Sequence, residues 1–597
     1  MTYSFPRVFT VLAFGFLAAC GPVPVDVQES LDASVAGETL HKLFEDEWRH
    51  DLSIHPLSAT YKGINDFDHI MPSATPEFYA KKSVQDKLFL NRLEAIDPAN
   101  LSDEDKLNYD LFSFVLNNRL EVAKYRDYRI PMVSDYGFYN GFMRIHESMP
   151  FKTTEDYDRY ISRLMDVPRY FDENIANMET GIVEGFTMPV AILDKVAPNI
   201  TALIVDDPEN TSLFDPFKNL PSNFSDDERI RILGAGRAAI MEGVMPAMQK
   251  FSDFFTTTYM PNARQTLGIR DVPDGEEYYK FLVGYYTTLD VTPQQVHEVG
   301  LAEMARIKAA MEEIITEVGF EGSFGEFLEF MRTDEQFYAK SPEELLKQAS
   351  WIAKRIDGIL PGYFGKMPRM PYGVRAVPDD MAPNYTTGRY WGATKGGLYG
   401  GFFMVNTYAL DKRPLYNLPA LALHEGVPGH HLQISLGEEL ENVPEFRLDL
   451  YPHAFGEGWG LYAEKLGEEM GIYQTPYERF GRLTYEMWRA GRLVVDTGMH
   501  FMGWTRDEAV NLFIENSALS THNINTEVDR YIAWPGQALA YKMGELTIIR
   551  LRERAENVLG EKFDIRSFHD AVLANGGIPL GVLEDQINNY IEREKQK

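Results

Sequence analysis

His424-Glu425-Gly426-Val427-Pro428-Gly429-His430-His431 places three imidazoles and a carboxylate within eight residues. A catalytic zinc site needs three protein ligands and one position left open for water. It also needs a carboxylate that is near but not ligated, to take the proton from that water. In H-E-x-x-H the two histidines lie four apart on one helical face, and the Glu beside the first reaches the water. Here Pro428 stands where the second His would be. On an unbroken helix the residue six positions on points about 120° away, and the seventh returns to the face about 10 Å along the axis. Pro428 and Gly429 argue against an unbroken helix, because proline lacks the donor and clashes with the preceding turn. A bulge that absorbs two residues would return His430 to the place of a +4 ligand, with His431 the alternative.

A third ligand must come from downstream. Phe455-Gly456-Glu457-Gly458-Trp459-Gly460-Leu461-Tyr462-Ala463-Glu464 offers Glu457, flanked by glycines that allow a neighbouring element to pack closely. Glu464, seven residues on, shares that helical face and suits a partner standing behind a ligand histidine. Arg489, Arg492 and His500 fall on one predicted helix and could bind a substrate carboxylate. Asn406 and the Gly400-Gly401 backbone could pair with an extended peptide as an added strand.

Three features, the His-Glu-x-x-Pro-Gly-His-His motif, Glu457-Gly458-Trp459 and Trp534-Pro535-Gly536-Gln537-Ala538-Leu539-Ala540-Tyr541, resemble a bacterial lipoprotein family catalogued as a domain of unknown function and grouped with gluzincin metallopeptidases. The resemblance covers about residue 40 to 590. More distantly, the order of strand, His-Glu helix and Glu helix resembles thimet oligopeptidase, carboxypeptidase Taq and angiotensin-converting enzyme. Matching Gly429-His430 to the Gly-His of those families implies zinc held by His424, His430 and Glu457, with Glu425 as general base. It also implies a late donor to the oxyanion, for which Tyr541 is preferred and Tyr531, with Arg530, stands behind it.

The elements that must position these residues read as helical. Leu40, Leu43, Phe44 and Trp48 keep helical spacing. Ser102, Thr153, Thr292-Pro293 and Ser341-Pro342 are helix starts, and Asp226–Lys250 is a further helix. Residues 361–388 are rich in Pro, Gly and Met, and Phe402–Tyr408 favours a strand. Helices resume at Gly456–Met470, Pro476–Met499, Thr505–Ser517 and Val582–Lys595. The expected fold is therefore mostly α: a large helical, zincin-like unit with a small β element beside the active-site helix and a deep central cleft. No fixed-period repeat and no strand–helix alternation is present.

The net charge of −31 excludes nucleic acid and anionic membrane surfaces as partners, since both would be repelled. The one cysteine, Cys20, allows neither an intrachain disulfide nor a cysteine metal site. Arg7, an apolar run from Val8 to Ala19 and Leu17-Ala18-Ala19-Cys20 resemble a bacterial lipobox, which implies cleavage before Cys20 and lipid on it. Gly21 after the cysteine suggests an outer membrane facing the periplasm. The expected order is a signal peptide (1–19), a tether (20–37), an N-terminal helical region (38–360) and a catalytic region (361–597), the last two in one compact unit.

The reading that follows is a lipid-anchored zinc peptidase acting on short peptides, touching membrane only through its anchor at Cys20. Two rivals remain at this stage: a peptide-binding lipoprotein without chemistry, and a metal-dependent hydrolase of a non-peptide amide or ester.

Overall fold

Helix boundaries follow the capping residues. In this computed structural model, which describes residues 25–134, 136–379, 381–393 and 399–597, the N-terminal half is a stack of long helices. The first, α1, spans Val25–Ile54. Ser102 accepts from Asp105 N (3.1 Å) and opens α2 (Asp103–Tyr125). Thr153 forms a reciprocal cap with Asp156 at the head of α3 (Thr154–Glu184). A shorter helix, α4 (Gly275–Thr287), precedes α5 (Pro293–Glu317), which Thr292 caps and Pro293 starts. Ser341 caps α6 (Pro342–Asp357). The helix expected over 226–250 runs Asp226–Ala238 and passes through a wider turn at Ala239–Val244 into Met245–Phe254.

Two expectations meet different outcomes at the N-terminus. Cys20 and the signal segment lie outside the described residues. The stretch expected as a tether does not stay irregular, because α1 already begins at Val25. The prolines that suggested a linker, Pro22 and Pro24, both precede that helix.

After α6 come three short strands: β1 (Tyr372–Ala376), β2 (Gly388–Trp391) and β3 (Gly401–Val405), in spatial order β1-β3-β2. β3 runs parallel to β1, with Tyr372 opposite Gly401, and antiparallel to β2, with Tyr390 opposite Phe403. β3 is thus the middle strand. Gly401 pairs with Tyr372 of β1 and on its other side lies against the Tyr390 ring, a Cβ there coming 2.2 Å from the Tyr390 hydroxyl, and Gly400 precedes it against the Pro371 carbonyl. Neither glycine offers the free edge that strand addition requires, which corrects the expectation placed on them. The outer strands are β1 and β2, and it is β2 whose residues line the cleft described below.

The C-terminal half supplies α7 (Leu418–Glu425), α8 (His430–Glu438), α9 (His453–Glu469), α10 (Pro476–Thr497), α11 (Thr521–Ala533), α12 (Ala540–Leu559) and α13 (Leu580–Gln596). Every residue of α7 is buried, as its all-round apolar sequence requires. α10 is buried on all sides from Phe480 to Thr497, and α5 packs along it. A Cβ on Gly300 of α5 would sit 2.8 Å from Leu493 and Val494 side-chain atoms. One continuous apolar core joins residues of both halves, from Leu40 to Ile591. No helix among the described residues is long and apolar enough to cross a membrane.

Candidate metal centre

The chain between His424 and His430 solves a spacing problem. Gly429 N donates to Leu423 O (2.9 Å), a bond spanning six residues where an α-helix spans four. The two extra residues are taken up in the Gly426–Gly429 loop, so α8 restarts with His430 above His424. His431 N donates to Gly426 O (3.1 Å), and Trp459 Nε1 of α9 donates to Pro428 O (2.7 Å), which ties the loop to the helix carrying the third candidate ligand, Glu457. Glycine is required at 429, since a Cβ there would lie 2.0 Å from His424 O.

His424 and His430 meet edge to face, with ring centres 4.8 Å apart. Glu457 Oε2 lies 3.5 Å from His424 Nε2 and 3.4 Å from His430 Nε2. The three ligand atoms fall within 4.8 Å of one another. A tetrahedral zinc with bonds of about 2.1 Å separates its ligands by about 3.4 Å, so the donor set suits that ion and the two His–Glu separations match its spacing. His424 Nδ1 donates to Glu464 Oε1 (2.8 Å), which fixes the tautomer with Nε2 facing the cluster. Burial pushes the His424 pKa down, but Glu457 and Glu464 outweigh it and hold it up at about 9. Glu457 is half-buried; desolvation raises its pKa, but the same two imidazoles outweigh that and keep it well below the usual carboxylate range.

Two glycines of α9 make the approach possible. A Cβ on Gly460 would lie 2.7 Å from His424 Cε1, so no other residue leaves room for that ring. A Cβ on Gly458 would lie 2.5 Å from Gly544 Cα. The α9 and α12 backbones therefore touch, and Tyr541 comes alongside, its ring stacked 6.4 Å from that of His424. Glu425 is 8% exposed, and its Oε2 accepts from Tyr390 N of β2 (2.7 Å). These groups line a cleft of about 300 Å³, together with Thr386–Tyr390, Trp488, Arg489, Arg492, Arg530 and Tyr541.

The remaining candidates divide sharply. His431 Nε2 donates to Met370 O (3.0 Å), and its Nδ1 accepts from Tyr390 OH (2.9 Å), so neither nitrogen is left for a metal. Burial holds its pKa at about 4. Tyr531 is buried, and its hydroxyl engages Trp488 Nε1 (2.6 Å), Arg492 Nε (2.8 Å) and Glu527 (3.0 Å). It is not an oxyanion donor but a strut beneath Arg492. Asn406 spends its amide on the carbonyls of Ala382, Tyr385 and Thr386, and its oxygen on Tyr408 N, so it folds a loop and meets no substrate. His500 accepts from Ile269 N (3.1 Å), donates to Tyr531 O (2.9 Å) and is completely buried, which removes it from the binding set. Arg489 and Arg492 do line the cleft.

Sequence reasoning missed three residues. Tyr390 serves Glu425 with its N–H and His431 with its hydroxyl. Trp488 carries two guanidiniums, with Arg489 Cζ 4.1 Å and Arg492 Cζ 4.3 Å from its ring centre. His453 lines the cleft one turn before Glu457, and that spacing of four was the available signal.

Fold and site together define a mostly helical protein with a small three-stranded sheet and a cluster of two buried histidines and a half-buried glutamate. The chain belongs to the family described as "Bacterial protein of unknown function (DUF885)", whose model matches residues 56–587. It is similar to the crystal structure of a "putative lipoprotein" from Colwellia psychrerythraea, with 26% identity, a TM-score of 0.86, and coverage of 94% of this chain and 99% of that one. A "putative lipoprotein of unknown function" from Shewanella oneidensis shares the fold, at 16% identity and a TM-score of 0.71, over 92% and 99% of the two chains. No curated protein matches the chain.

Proposed function

We propose that the protein is a zinc-dependent peptidase of the gluzincin type that cleaves short peptides. The observation that carries this reading is the convergence of the His424, His430 and Glu457 ligand atoms within 4.8 Å of one another, with Glu425 beside the first histidine. When bound, the zinc would acidify a water and polarise the substrate carbonyl. The Glu425 carboxylate accepts the proton of the attacking water and passes it to the leaving amine. The Tyr541 hydroxyl donates to the oxygen on which negative charge develops. Glu464 keeps the His424 proton on Nδ1. The free edge of β2, whose residues line the cleft, pairs with the peptide backbone and holds it extended. Tyr390, on that same strand, ties substrate alignment to the position of Glu425.

The similar structure from Colwellia psychrerythraea is described as a lipoprotein, which supports the lipobox reading at Cys20 and a place in the cell envelope. Incorporation of labelled palmitate that is lost in Cys20→Ala would establish the anchor; equal labelling of both would refute it.

Metal analysis of the purified protein, with Glu425→Gln and His424→Ala assayed on a mixed peptide library, tests the peptidase. About one zinc per chain is expected, with turnover at least ~100-fold lower in Glu425→Gln. Substoichiometric zinc together with unaltered turnover in both variants would overturn the reading.

A further inference from the structure

We propose that the cleft takes its peptide by the free α-carboxylate, through Arg489 and Arg492, and so cleaves from the C-terminal end. This rests on the peptidase reading for the cleavage, but the carboxylate site stands on its own observations.

Both arginines line the cleft at 4% and 2% exposure. Arg489 Nε and Nη1 and Arg492 Nη1 have no hydrogen-bond partner. A buried guanidinium N–H left unmatched is costly, and unmatched groups in a cleft face what the cleft binds. The nearby carboxylates, Glu527 and Glu464, are fewer than the guanidiniums, and although Glu464 Oε2 has no partner, neither acid reaches Arg489 Nε, Arg489 Nη1 or Arg492 Nη1. Glu527 accepts from Arg492 Nη2 (3.1 Å), from Arg530 Nη2 (2.9 Å) and from Tyr531. Glu464 is 3.6 Å from Arg489 Nη2, and its Oε1 already accepts from His424. Three guanidiniums thus share this wall with too few acidic groups, inside a chain whose net charge is −31. The missing partner is an anion with paired oxygens, the geometry a guanidinium fork matches.

Placement makes that anion a chain terminus. Both side chains hang from α10, which is buried all round, so a peptide cannot continue past them. On the other side, the cleft meets a second cavity of about 460 Å³ at Tyr451 and His453, lined by aromatic rings that include Trp48, Tyr278 and Tyr286. That cavity receives the residues before the cleaved bond. The Tyr541 ring centre lies 6.4 Å from that of His424 and 4.2 Å from Arg492 Cζ. One side chain therefore spans the distance from metal corner to guanidinium. A peptide residue extends at most about 3.6 Å, so one or two residues fit between the attacked carbonyl and the anchored carboxylate. Hydrolysis there breaks the last or penultimate C–N bond; water supplies the oxygen of the new carboxyl and the proton of the released amine.

The test compares an N-acetyl tripeptide acid with its C-terminal amide, by calorimetry on Glu425→Gln protein and by mass spectrometry of products from the unaltered enzyme. The acid is expected to bind about 100-fold more tightly than the amide, and Arg492→Gln and Arg489→Lys are expected to erase the difference. Products of longer peptides should be shorter only at the C-terminus, by one or two residues. Equal binding of acid and amide, or cleavage within amidated peptides, would overturn the inference while leaving a peptidase. Selective binding of the acid with no hydrolysis of any peptide would uphold the carboxylate site and overturn the peptidase reading. Should the arginine variants fail to fold, the acid–amide comparison on protein with both arginines intact still decides.

Discussion

His424 and His430 differ in what stands behind them. His424 gives its Nδ1 proton to Glu464, whereas His430 Nδ1 is buried without a hydrogen-bond partner. Support for a bound zinc would therefore be concentrated on His424, and Glu464→Gln is expected to weaken zinc binding about 10- to 100-fold. Competition with a chromophoric chelator measures it, and an unchanged affinity would show that Glu464 has no such role. His430→Ala should lose stoichiometric zinc while His431→Ala keeps it; the reverse result would reassign the second ligand. The sequence alone could not separate these two histidines. His424, Glu425 and Glu457 follow from local chemistry and spacing, but the choice between 430 and 431 depends on Met370 and Tyr390, which reach His431 from a distant part of the chain. Tyr531 and Tyr541 pose the same difficulty: both are late tyrosines near Pro535-Gly536, and only packing reveals that one hydroxyl is consumed by Trp488, Arg492 and Glu527.

At the scale of elements, glycines set the site's dimensions. Gly460→Ala would drive a methyl against the His424 ring, at an expected cost of about 1–3 kcal/mol by urea denaturation, with weakened zinc binding. A variant as stable and as tightly zinc-loaded as the parent would mean that α9 yields more easily than its contact with α12 implies. The helices were legible because their starts are written in single residues: Ser102, Thr153, Thr292 and Ser341 each cap where expected. The sheet was only half legible. β3 could be recognised as a strand, but whether it is central or at an edge depends on β1 and β2, whose pairing is not local, so an edge was expected on the strand that lies in the middle. The N-terminal stretch erred the other way: two prolines suggested a linker, and the helix starts just beyond them.

For the whole molecule, one buried acid links distant parts. Asp496 of α10 accepts from Tyr279 OH of α4 (2.6 Å) and from Gly536 N (3.1 Å) ahead of α12. Burial raises its pKa from 3.8 to about 7, against the pull of those donors. The folded protein thus holds this proton more tightly than the unfolded chain. The stabilisation is complete below about pH 4, declines as pH rises through about 7 and is flat above, a loss on the order of 4 kcal/mol. Asp496→Asn should flatten that slope and leave the variant relatively more stable at pH 8 than at pH 5. Urea titrations at the two values check it, and an unchanged slope would place the linked proton elsewhere. None of this was visible in sequence, where Asp496 is one of 89 acidic residues and nothing local tells it from a solvated one.

The packing of Trp488 has a practical side. Its indole lies against both cleft arginines and donates to the Tyr531 hydroxyl. An indole's emission responds to charge beside it, so neutralising those guanidiniums should change its colour or brightness. Two tryptophans line the cleft, Trp488 and Trp534, and the one against the arginines would serve as an optical gauge of the ligand proposed to bind there. A titration that loses its signal in Trp488→Phe would read occupancy directly, with no label attached and no turnover needed.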